Sequence, residues 1–519
     1  MTLAMLLPVL LGCNTPQPAA RPIFVRGGVI HQDSSIEGTM TGSRVDDNMP
    51  RWFSPISDDG AQTMTISGTS WQIPEMPSCA PLFGVDLGDV SRHIALGGAA
   101  PDTVMTWSHD GSRLAIGTFL GEVIIVDGWT GKEHGRVRLS ETMIKQIKWS
   151  RDDTQIYVAE QSPDAALLAM DPSTLSANWR LNLADWVQTS SLPAGDLYGT
   201  YTLPAAYGLD VLEDGTLLVV ATHAWNDRDG KRLNQSIVLQ VSPEGSALRQ
   251  WPETPTDAVF FRARVAGSTA VIPVSRSSSG APPEGLPVGG VIIFDTETFT
   301  PTSSVTVPPL APWFTNTFLW EAIDLQGDRL FLGMGDGRAG LWSVDGNPIE
   351  ALPSSTPVLA GNVPIVASIG SGFLVDDRAV YQTSSTHIPF GAAAPELRPP
   401  VAHPEENSLV VASTSGEKLW SWSGPHTLEG ITLGPDQRTL VVGTTKRRHD
   451  TRRDLFGALL FDLGRDKSSR PSLLTFCSTG GPAFFRTAST LDGRIAVAEH
   501  PYRQGEDPAF GQYRVTVFR

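Results

Sequence analysis

The chain has 519 residues; 40% are hydrophobic, only 18% are charged, and 50 are glycine and 40 proline. This composition excludes a wholly disordered chain and favours many short strands and tight turns, arranged as about three domains or one repeat array. The formal net charge of −16 argues against nucleic acid as a partner, because contacts to phosphates need a basic surface.

The first residues have the form of an export signal. An apolar run from Leu3 to Leu11, too short to span a bilayer as a helix, ends in Leu10-Leu11-Gly12-Cys13 before a Pro-rich stretch. This end resembles the lipobox of bacterial lipoprotein signal peptides. The resemblance implies that residues 1–13 are a signal peptide, that Cys13 carries lipid, and that the protein is anchored in the bacterial cell envelope, periplasmic or surface-exposed. A frayed apolar N-terminus with an incidental cysteine is the alternative.

Residues 14–60 are predicted to form a flexible tether. They are rich in Pro, Gly, Ser and Asp and show no sustained periodicity. A flexible segment of this length spans about 35 Å. No later segment approaches 18 consecutive apolar residues, so we expect no other segment of the chain to span a membrane.

The rest of the chain, residues 61–519, repeats one pattern. Residues 106–117 and 148–159 both read as a strand, an Asp-rich turn and a short apolar strand. The short apolar strand recurs as Leu217–Ala221, Ala270–Ile272, Leu330–Gly333, Leu409–Ala412, Leu440–Gly443 and Ile495–Ala498. A further strand follows each copy: Val123–Val126, Leu167–Met170, Ile237–Val241, Val291–Phe294, Gly340–Val344, Leu419–Trp422, Leu459–Phe461 and Arg514–Phe518. Several of these end in Asp, and three continue as Asp-x-x-Thr, a sequence that can cap a turn.

Eight hairpins at a period of about 40–60 residues indicate an all-β chain folded as a single β-propeller of about eight four-stranded blades. Seven blades are the alternative, because residues 364–390 do not fit the period. Residues 108–115 and 127–132 resemble bacterial WD40-like and YVTN-type propeller repeats. That resemblance implies the same fold.

A propeller ring must close, since its first and last blades would otherwise expose unpaired edges. The last strand, Tyr513–Phe518, completes only three strands of its blade. We therefore expect an N-terminal strand at Ser91–Leu96 to join that blade and seal the ring.

Four loops between second and third strands are long: Thr222–Ser236, Val274–Gly290, Thr444–Gly457 and Glu499–Gln512. Such loops emerge on one face of a propeller, together with the connections between blades. Insertions concentrated there indicate a binding face, and drift at tolerant loop tips is the alternative. The candidate interaction residues on this face are Trp225, Asp227, Asp229, Lys446, Arg447, Arg448, Arg452, Arg453, Tyr502 and Arg503.

Two of these loops allow more specific interpretations. The segment 225–230 faintly resembles a calcium loop, although a polar turn accounts for it better. The segment 446–453 is the basic cluster of an acidic protein and could meet lipid headgroups or an acidic partner, or be a solvated hairpin tip.

Chemical motifs are sparse. The ten histidines and three cysteines form no recognised metal-ligand spacing, and no nucleophile elbow, phosphate-binding loop or dinucleotide fingerprint occurs. We therefore expect no metal, cofactor or catalytic residue. The aromatic residues at 313–314 and the pair Trp420 and Trp422 could stack on a sugar or peptide, but packing between blades explains them better.

Two classes of function remain. The first, which we favour, is a membrane-tethered extracytoplasmic module that binds a protein or polymer partner. The alternative is a propeller enzyme, such as a hydrolase, lactonase or quinone-dependent dehydrogenase, with its site at the channel mouth; the fold alone decides neither.

Cys79 and Cys477 are the cysteines left once Cys13 is lipidated. Two thiols in an oxidising compartment commonly pair, and these two flank the segments expected to close the ring. We predict a disulfide between them, with two buried reduced thiols as the alternative.

Overall fold

The structure is a computed structural model that describes residues 38–41, 61–64, 79–95, 102–187, 203–226, 232–275, 286–287, 289–307, 318–360, 363–387, 403–445, 455–464, 470–488, 493–502 and 510–519. Near the N-terminus, β1 (Gly38–Thr41) pairs antiparallel with β2 (Ala61–Met64). β3 (Pro81–Asp86) and a single helical turn, α1 (Ser91–Ala95), precede the repeats. The tether predicted at 14–60 lies outside the described residues except for β1.

Eight antiparallel sheets follow, and they form the eight blades of a propeller. Blade 1 contains β4 (Val104–Trp107), β5 (Arg113–Gly117), β6 (Glu122–Asp127) and β7 (Glu133–Arg138), and blade 2 contains β8 (Ile144–Trp149), β9 (Ile156–Glu160), β10 (Ala166–Met170) and β11 (Ala177–Asn182). Blade 3 contains β12 (Ala205–Val211), β13 (Leu217–Asn226), β14 (Arg232–Val241) and β15 (Ala247–Thr256). Blade 4 contains β16 (Val259–Phe260), β17 (Arg264–Ala266), β18 (Thr269–Ser275), β19 (Gly290–Asp295) and β20 (Thr300–Thr306). A 3-10 turn, Leu183–Asp185, follows β11.

Blade 5 contains β21 (Phe318–Gln326), β22 (Arg329–Met334), β23 (Ala339–Ser343) and β24 (Pro348–Leu352), and blade 6 contains β25 (Val358–Ala360), β26 (Val363–Val375), β27 (Arg378–His387), β28 (Ser408–Ser413) and β29 (Lys418–Ser423). Blade 7 contains β30 (Thr427–Leu433), β31 (Thr439–Thr445), β32 (Gly457–Asp462) and β33 (Ser472–Ser478). Blade 8 contains β34 (Ala483–Ala488), β35 (Ile495–Glu499) and β36 (Arg514–Phe518), with β3 as its fourth strand. The prediction of an all-β propeller with eight four-stranded blades is therefore confirmed, and blades 4 and 6 each carry one further short strand. No helix among these described residues is long and apolar enough to cross a membrane.

Burial explains why the middle strands carry the repeat signal. β9 and β10 are buried along their whole length, because neighbouring blades cover both faces of each sheet. The outermost strand β7 alternates between exposed and half-buried residues. The hydrophobic core consequently lies between adjacent blades, as where Ile116 and Ile124 of blade 1 cluster with Val515 of blade 8.

The turns follow their sequence signals. In the turn between β4 and β5, Asp110 accepts hydrogen bonds from the Ser112 backbone N–H (2.9 Å) and the Ser108 hydroxyl (2.6 Å), which lower the pKa of Asp110 to about 2. In the Asp-x-x-Thr turn after β6, Asp127 accepts the Thr130 backbone N–H at 2.8 Å. Each carboxylate thus fixes the turn that sets the register of its hairpin.

The ring closes through β3, which pairs with β36 as the outermost strand of blade 8. The strand predicted at Ser91–Leu96 was wrong, because Ser91–Ala95 forms the helical turn α1. Asp89 accepts the Ser91 backbone N–H at 2.8 Å and so caps that turn. The strand that closes the ring, β3, begins with a proline. An outermost strand tolerates proline because one of its two edges forms no backbone hydrogen bonds with another strand.

Blade 6 also departs from the predicted phase. Leu409–Ala412 and Leu419–Trp422 were assigned as second and third strands, but they lie in β28 and β29, the third and fourth strands counted from β26. The segment 364–390, which did not fit the period, supplies the two inner strands β26 and β27. Its pattern was obscured because the β26–β27 ladder contains two register shifts.

Two buried side chains fasten blade 8 to blade 1. The Tyr513 hydroxyl accepts the Phe119 backbone N–H at 2.9 Å and donates to the Asp102 carbonyl at 3.2 Å. Toward the other face of the ring, the Arg494 guanidinium donates to the Gly111 carbonyl at 2.7 Å and to the Gly128 carbonyl.

The position of Arg494 is a recurring one. Arg494 directly precedes β35, and Arg113, Arg329 and Arg378 begin the corresponding strands of their blades and donate to a turn of the next blade. Arg494 additionally stacks its guanidinium on the Trp129 ring, with the Arg494 Cζ 3.8 Å from the ring centroid. A repeated arginine therefore links successive blades.

A disulfide adds a covalent link near the closing strand. Cys79, just before β3, is bonded to Cys477 of β33 in blade 7, and their Cα atoms are 4.9 Å apart. Cys477 is fully buried. The structure thus joins the two cysteines that the sequence pairs, and it ties the N-terminal strand to the blade before the seam.

Candidate functional site: the central channel and the crossover face

The innermost strands of all eight blades surround a central channel of about 670 Å³. On blades 5 to 8 its walls are formed by the last residues of the innermost strands. On these blades the cavity therefore lies away from the crossover face, the face that carries the blade-to-blade connections and the loops between second and third strands.

One half of the channel, formed by blades 2 to 5, is charged. The Lys145 ammonium lies 2.8 Å from the Asp102 carboxylate, and both side chains are buried. Further along β8, Lys148 pairs with Asp210 of blade 3 at 3.1 Å. Each pair gives a lysine of β8 a carboxylate partner, which offsets the free-energy cost of burying the lysine's charge.

Blades 4 and 5 continue this charged arc. The Arg264 Nε donates to the Ile323 carbonyl at 3.1 Å, and the Asp324 carboxylate accepts the Leu374 backbone N–H at 2.8 Å. Asp324 is the carboxylate among the residues that line the channel, and its charge is attracted by that of Arg264.

The environment shifts the pKa values of three of these groups. Burial lowers the pKa of Lys145 against the attraction of Asp102, and burial raises the pKa of Asp324. Attraction to Asp210 raises the pKa of Lys148, but burial and repulsion from Arg262 and Arg264 together outweigh it and lower the pKa. Lys148, Arg262 and Arg264 therefore form a group in which like charges repel that of Lys148.

The other half of the channel is neutral. Its walls carry Met105 and Thr106 of blade 1, Phe373 of blade 6, Leu433 of blade 7 and Thr487 of blade 8. The channel as a whole is therefore amphipathic, with a cationic side and an apolar side.

A bulge in blade 4 positions the remaining cation of the channel. Between β16 and β17 the three residues 261–263 face only two residues of β18. The Pro273 carbonyl accepts the Phe261 N–H at 3.0 Å, but Pro273 has no N–H to donate in return, which explains why the ladder breaks here. The bulge places Arg262 on the channel wall, beside Arg264.

On the crossover face, the structure shortens one predicted loop. Within the predicted loop Thr222–Ser236, residues 222–226 and 232–236 belong to the β13–β14 hairpin. This hairpin continues for four residue pairs beyond Thr222, the last residue of β13 that pairs with β12. Trp225 lies on this extension, stacked on His223 with ring centroids 4.1 Å apart. Trp225, one of the interaction residues named from the sequence, is only 7% exposed, so its indole is largely packed, and its part in an interaction face stays a prediction.

A row of aromatic rings connects the loops of blades 7 and 8 on this face. Phe510 stacks on Phe456 (centroids 5.8 Å) and contacts Tyr502 (5.7 Å). Tyr502 and Phe510 also exchange two backbone hydrogen bonds of 2.8 and 2.9 Å. Both residues are partly exposed, whereas Phe456 is buried.

The basic loop of blade 7 leaves and re-enters the fold beside these rings. Thr445 ends β31, and Leu455 is the next described residue; the Leu455 carbonyl accepts the Thr444 hydroxyl at 2.7 Å. The other interaction residues named from the sequence lie outside the described residues: Asp227, Asp229, Lys446, Arg447, Arg448, Arg452, Arg453 and Arg503.

The aromatic residues considered for stacking on a ligand have a packing role where they are described. The Trp420 and Trp422 rings lie 5.9 and 5.3 Å from the Phe461 ring of blade 7, and they belong to the core between blades 6 and 7. The aromatic residues at 313–314 lie outside the described residues. Within the described residues, no group of three or more His, Cys, Asp or Glu side chains could hold a metal ion.

The sequence interpretation missed the channel cations. A usable signal was present: two lysines interrupt the apolar strand β8, and Arg262 and Arg264 are two residues apart around a buried alanine. Neither signal says which strand of a blade is innermost, and only the innermost strand faces the channel.

Comparison with known proteins supports the fold. No protein-family model matches the chain, and no curated protein matches it. Among solved structures, the C-terminal WD40 domain of Sif2 is 12% identical with a TM-score of 0.53, covering 85% of this chain and 98% of that domain. BamB from Moraxella catarrhalis is 13% identical (TM-score 0.46, 81% and 97% covered), and the computationally designed Ika8 protein is 11% identical (TM-score 0.47, 85% and 99% covered). At this identity the similarity to the Sif2 domain concerns the fold alone: the chain is a β-propeller of WD40-like architecture.

Proposed function

We propose that the protein is an interaction module that binds a protein or polymer partner through its crossover face. The observation that carries the proposal is the partly exposed pair Tyr502 and Phe510, held in place by backbone hydrogen bonds and by Phe456 beneath it. A rigid aromatic pair loses little conformational entropy on binding, and tyrosine and arginine are enriched at binding hot spots. The basic loop that begins at Thr445 supplies the arginines, and on a chain of net charge −16 it favours an acidic partner.

We further propose that this module is held at a bacterial membrane by lipid on Cys13, in an extracytoplasmic compartment. The lipobox-like sequence supports the anchor. The bond between Cys79 and Cys477 supports the compartment, because disulfides persist where the environment is oxidising.

The interaction is tested by quantitative capture from a detergent extract of the native cells with the tagged full chain. Tyr502→Ala and the charge reversal Arg447→Glu/Arg448→Glu are each expected to reduce the captured partner by about tenfold. The matched control is Leu248→Ala, which removes an exposed side chain from the outer strand β15. Capture that survives both changes, or that the control weakens equally, would contradict the proposal. A metal or quinone that copurifies stoichiometrically would instead favour the enzyme alternative.

The anchor is tested separately. Metabolic labelling with a fatty-acid analogue is expected to mark the wild-type protein, and Cys13→Ala is expected to abolish the label and release the protein from membranes. Unchanged labelling of the variant would refute the assignment.

A further inference from the structure

The channel contains one cation for which no counter-ion is present among the described residues. The Nε of Arg262 is buried without a hydrogen-bond partner, and no described residue forms an ion pair with its guanidinium. Lys145 and Lys148 each have a carboxylate, whereas the guanidinium of Arg262 faces the channel unpaired. Leaving a buried donor unsatisfied costs about 1–3 kcal/mol, more for a charged group.

The surrounding backbone is arranged to keep Arg262 in this position. The bulge opposite Pro273 turns it toward the channel, and blade 3 packs closely against the bulge. A Cβ on Gly208 of β12 would lie only 3.2 Å from the Arg262 Cα and the Ala263 N, so a glycine is what permits this approach. Bulges that re-aim a side chain are over-represented beside binding and active sites.

The rest of the channel fits an anionic ligand with an apolar part. Arg262 and Arg264 lie close enough to Lys148 to repel its charge, and a negative group placed among them relieves that repulsion. The opposite wall offers the apolar side chains of Phe373 and Leu433. The volume of about 670 Å³ lies in the range of small-molecule sites, roughly 300–1,000 Å³.

We propose that the central channel is a binding site for a small organic anion, whose carboxylate or phosphate group binds the guanidinium of Arg262 while its apolar part lies against the neutral wall. A guanidinium donates two parallel hydrogen bonds to either oxyanion, which fixes the orientation of the ligand. This site is separate from the crossover face and does not depend on the proposed function.

The experiment is calorimetric titration of the full chain with acetate, octanoate and inorganic phosphate. Saturable binding of at least one probe is expected, with octanoate tighter than acetate if the ligand is an apolar carboxylate, and phosphate tightest if the ligand is a phosphate. Arg262→Gln is expected to weaken binding about tenfold or more. The matched control is Arg180→Gln on the outer strand β11, which removes the same charge from an exposed pair and is expected to leave binding unchanged.

A second readout does not require the correct probe. Because the Arg262 guanidinium is unpaired, Arg262→Gln is expected to raise the melting temperature in anion-free buffer, whereas Arg180→Gln is not. A lower melting temperature for Arg262→Gln would show that the arginine is structural and would overturn the proposal. Failure of all three probes to bind, or equal binding to the Arg262→Gln variant, would also overturn it.

Discussion

Replacing Arg494 by methionine is expected to weaken the seam at which the ring closes. The guanidinium is 1% exposed and donates to the carbonyls of Gly111 and Gly128 in blade 1 while stacking on Trp129. A hydrogen bond from a charged group contributes about 1.5–3 kcal/mol, and a desolvated cation–π contact about 2 kcal/mol. Methionine leaves both carbonyls unpaired but retains part of the packing and removes the cost of burying a charge, so we expect a net loss of about 4 kcal/mol.

The assay is thermal unfolding of the full chain. At about 2.1 cal/mol/K per residue, a domain of this size has an unfolding entropy of about 0.9 kcal/mol/K, so the melting temperature is expected to fall by about 4 °C. Arg329→Met is the matched control. Arg329 occupies the same position in blade 5, but its side chain is 42% exposed and donates long hydrogen bonds of 3.3 and 3.5 Å to Asp377 and Thr414. Its expected effect is below about 1 °C.

Hydrogen exchange locates the effect. The Phe119 amide, which donates to Tyr513 across the seam, is expected to exchange faster in Arg494→Met and at the wild-type rate in Arg329→Met. Equal losses of melting temperature in the two variants would refute the reasoning, since burial and seam position would then be irrelevant.

Three further predictions concern covalent, acidic and buried polar contacts. Cys477→Ser is expected to lower stability by up to about 6 kcal/mol, the chain-entropy value for a loop of 398 residues, and mass spectrometry of an unreduced digest should find the Cys79 peptide joined to its partner only in the wild type. The folded-state pKa of Asp110 is depressed to about 2, so the Asp110 carboxylate contributes fully to the free energy of unfolding above about pH 4, and this contribution is lost as the pH falls toward 2. The difference in melting temperature between wild type and Asp110→Asn should therefore shrink between about pH 4 and pH 2. Lys145→Met alone is expected to destabilise by about 3–5 kcal/mol because it leaves Asp102 charged and buried, and Asp102→Asn added to it should recover part of the loss in a denaturant titration.

The sequence allowed the blade count and most of the middle strands to be predicted, for a physical reason. A strand covered on both faces is apolar throughout, and an Asp-rich turn marks where it begins. The closing strand was misplaced because β3 is an outer strand with mixed exposure, so its residues carry no such signal. Ser91–Ala95 is amphipathic over too few residues to separate a helical turn from a strand.

The channel site could not be predicted because its residues are brought together by ring geometry. Asp102 and Lys145 are 43 residues apart, one blade period, and they meet only when two innermost strands lie side by side. Arg262 depends on a bulge caused by Pro273 on a different strand. Neither relation can be read from local periodicity.

The position of the disulfide also determines how the ring bears mechanical load. A chain held at its N-terminus transmits tension toward β3, whose five residue pairs with β36 would otherwise open one after another from the pulled end. Cys79 lies before the first of those pairs, and its bond carries the force into Cys477, in a different blade. Tension applied at the N-terminus therefore bypasses the closing strand altogether, and chemical reduction would convert the strand that seals the ring into the first strand to peel away.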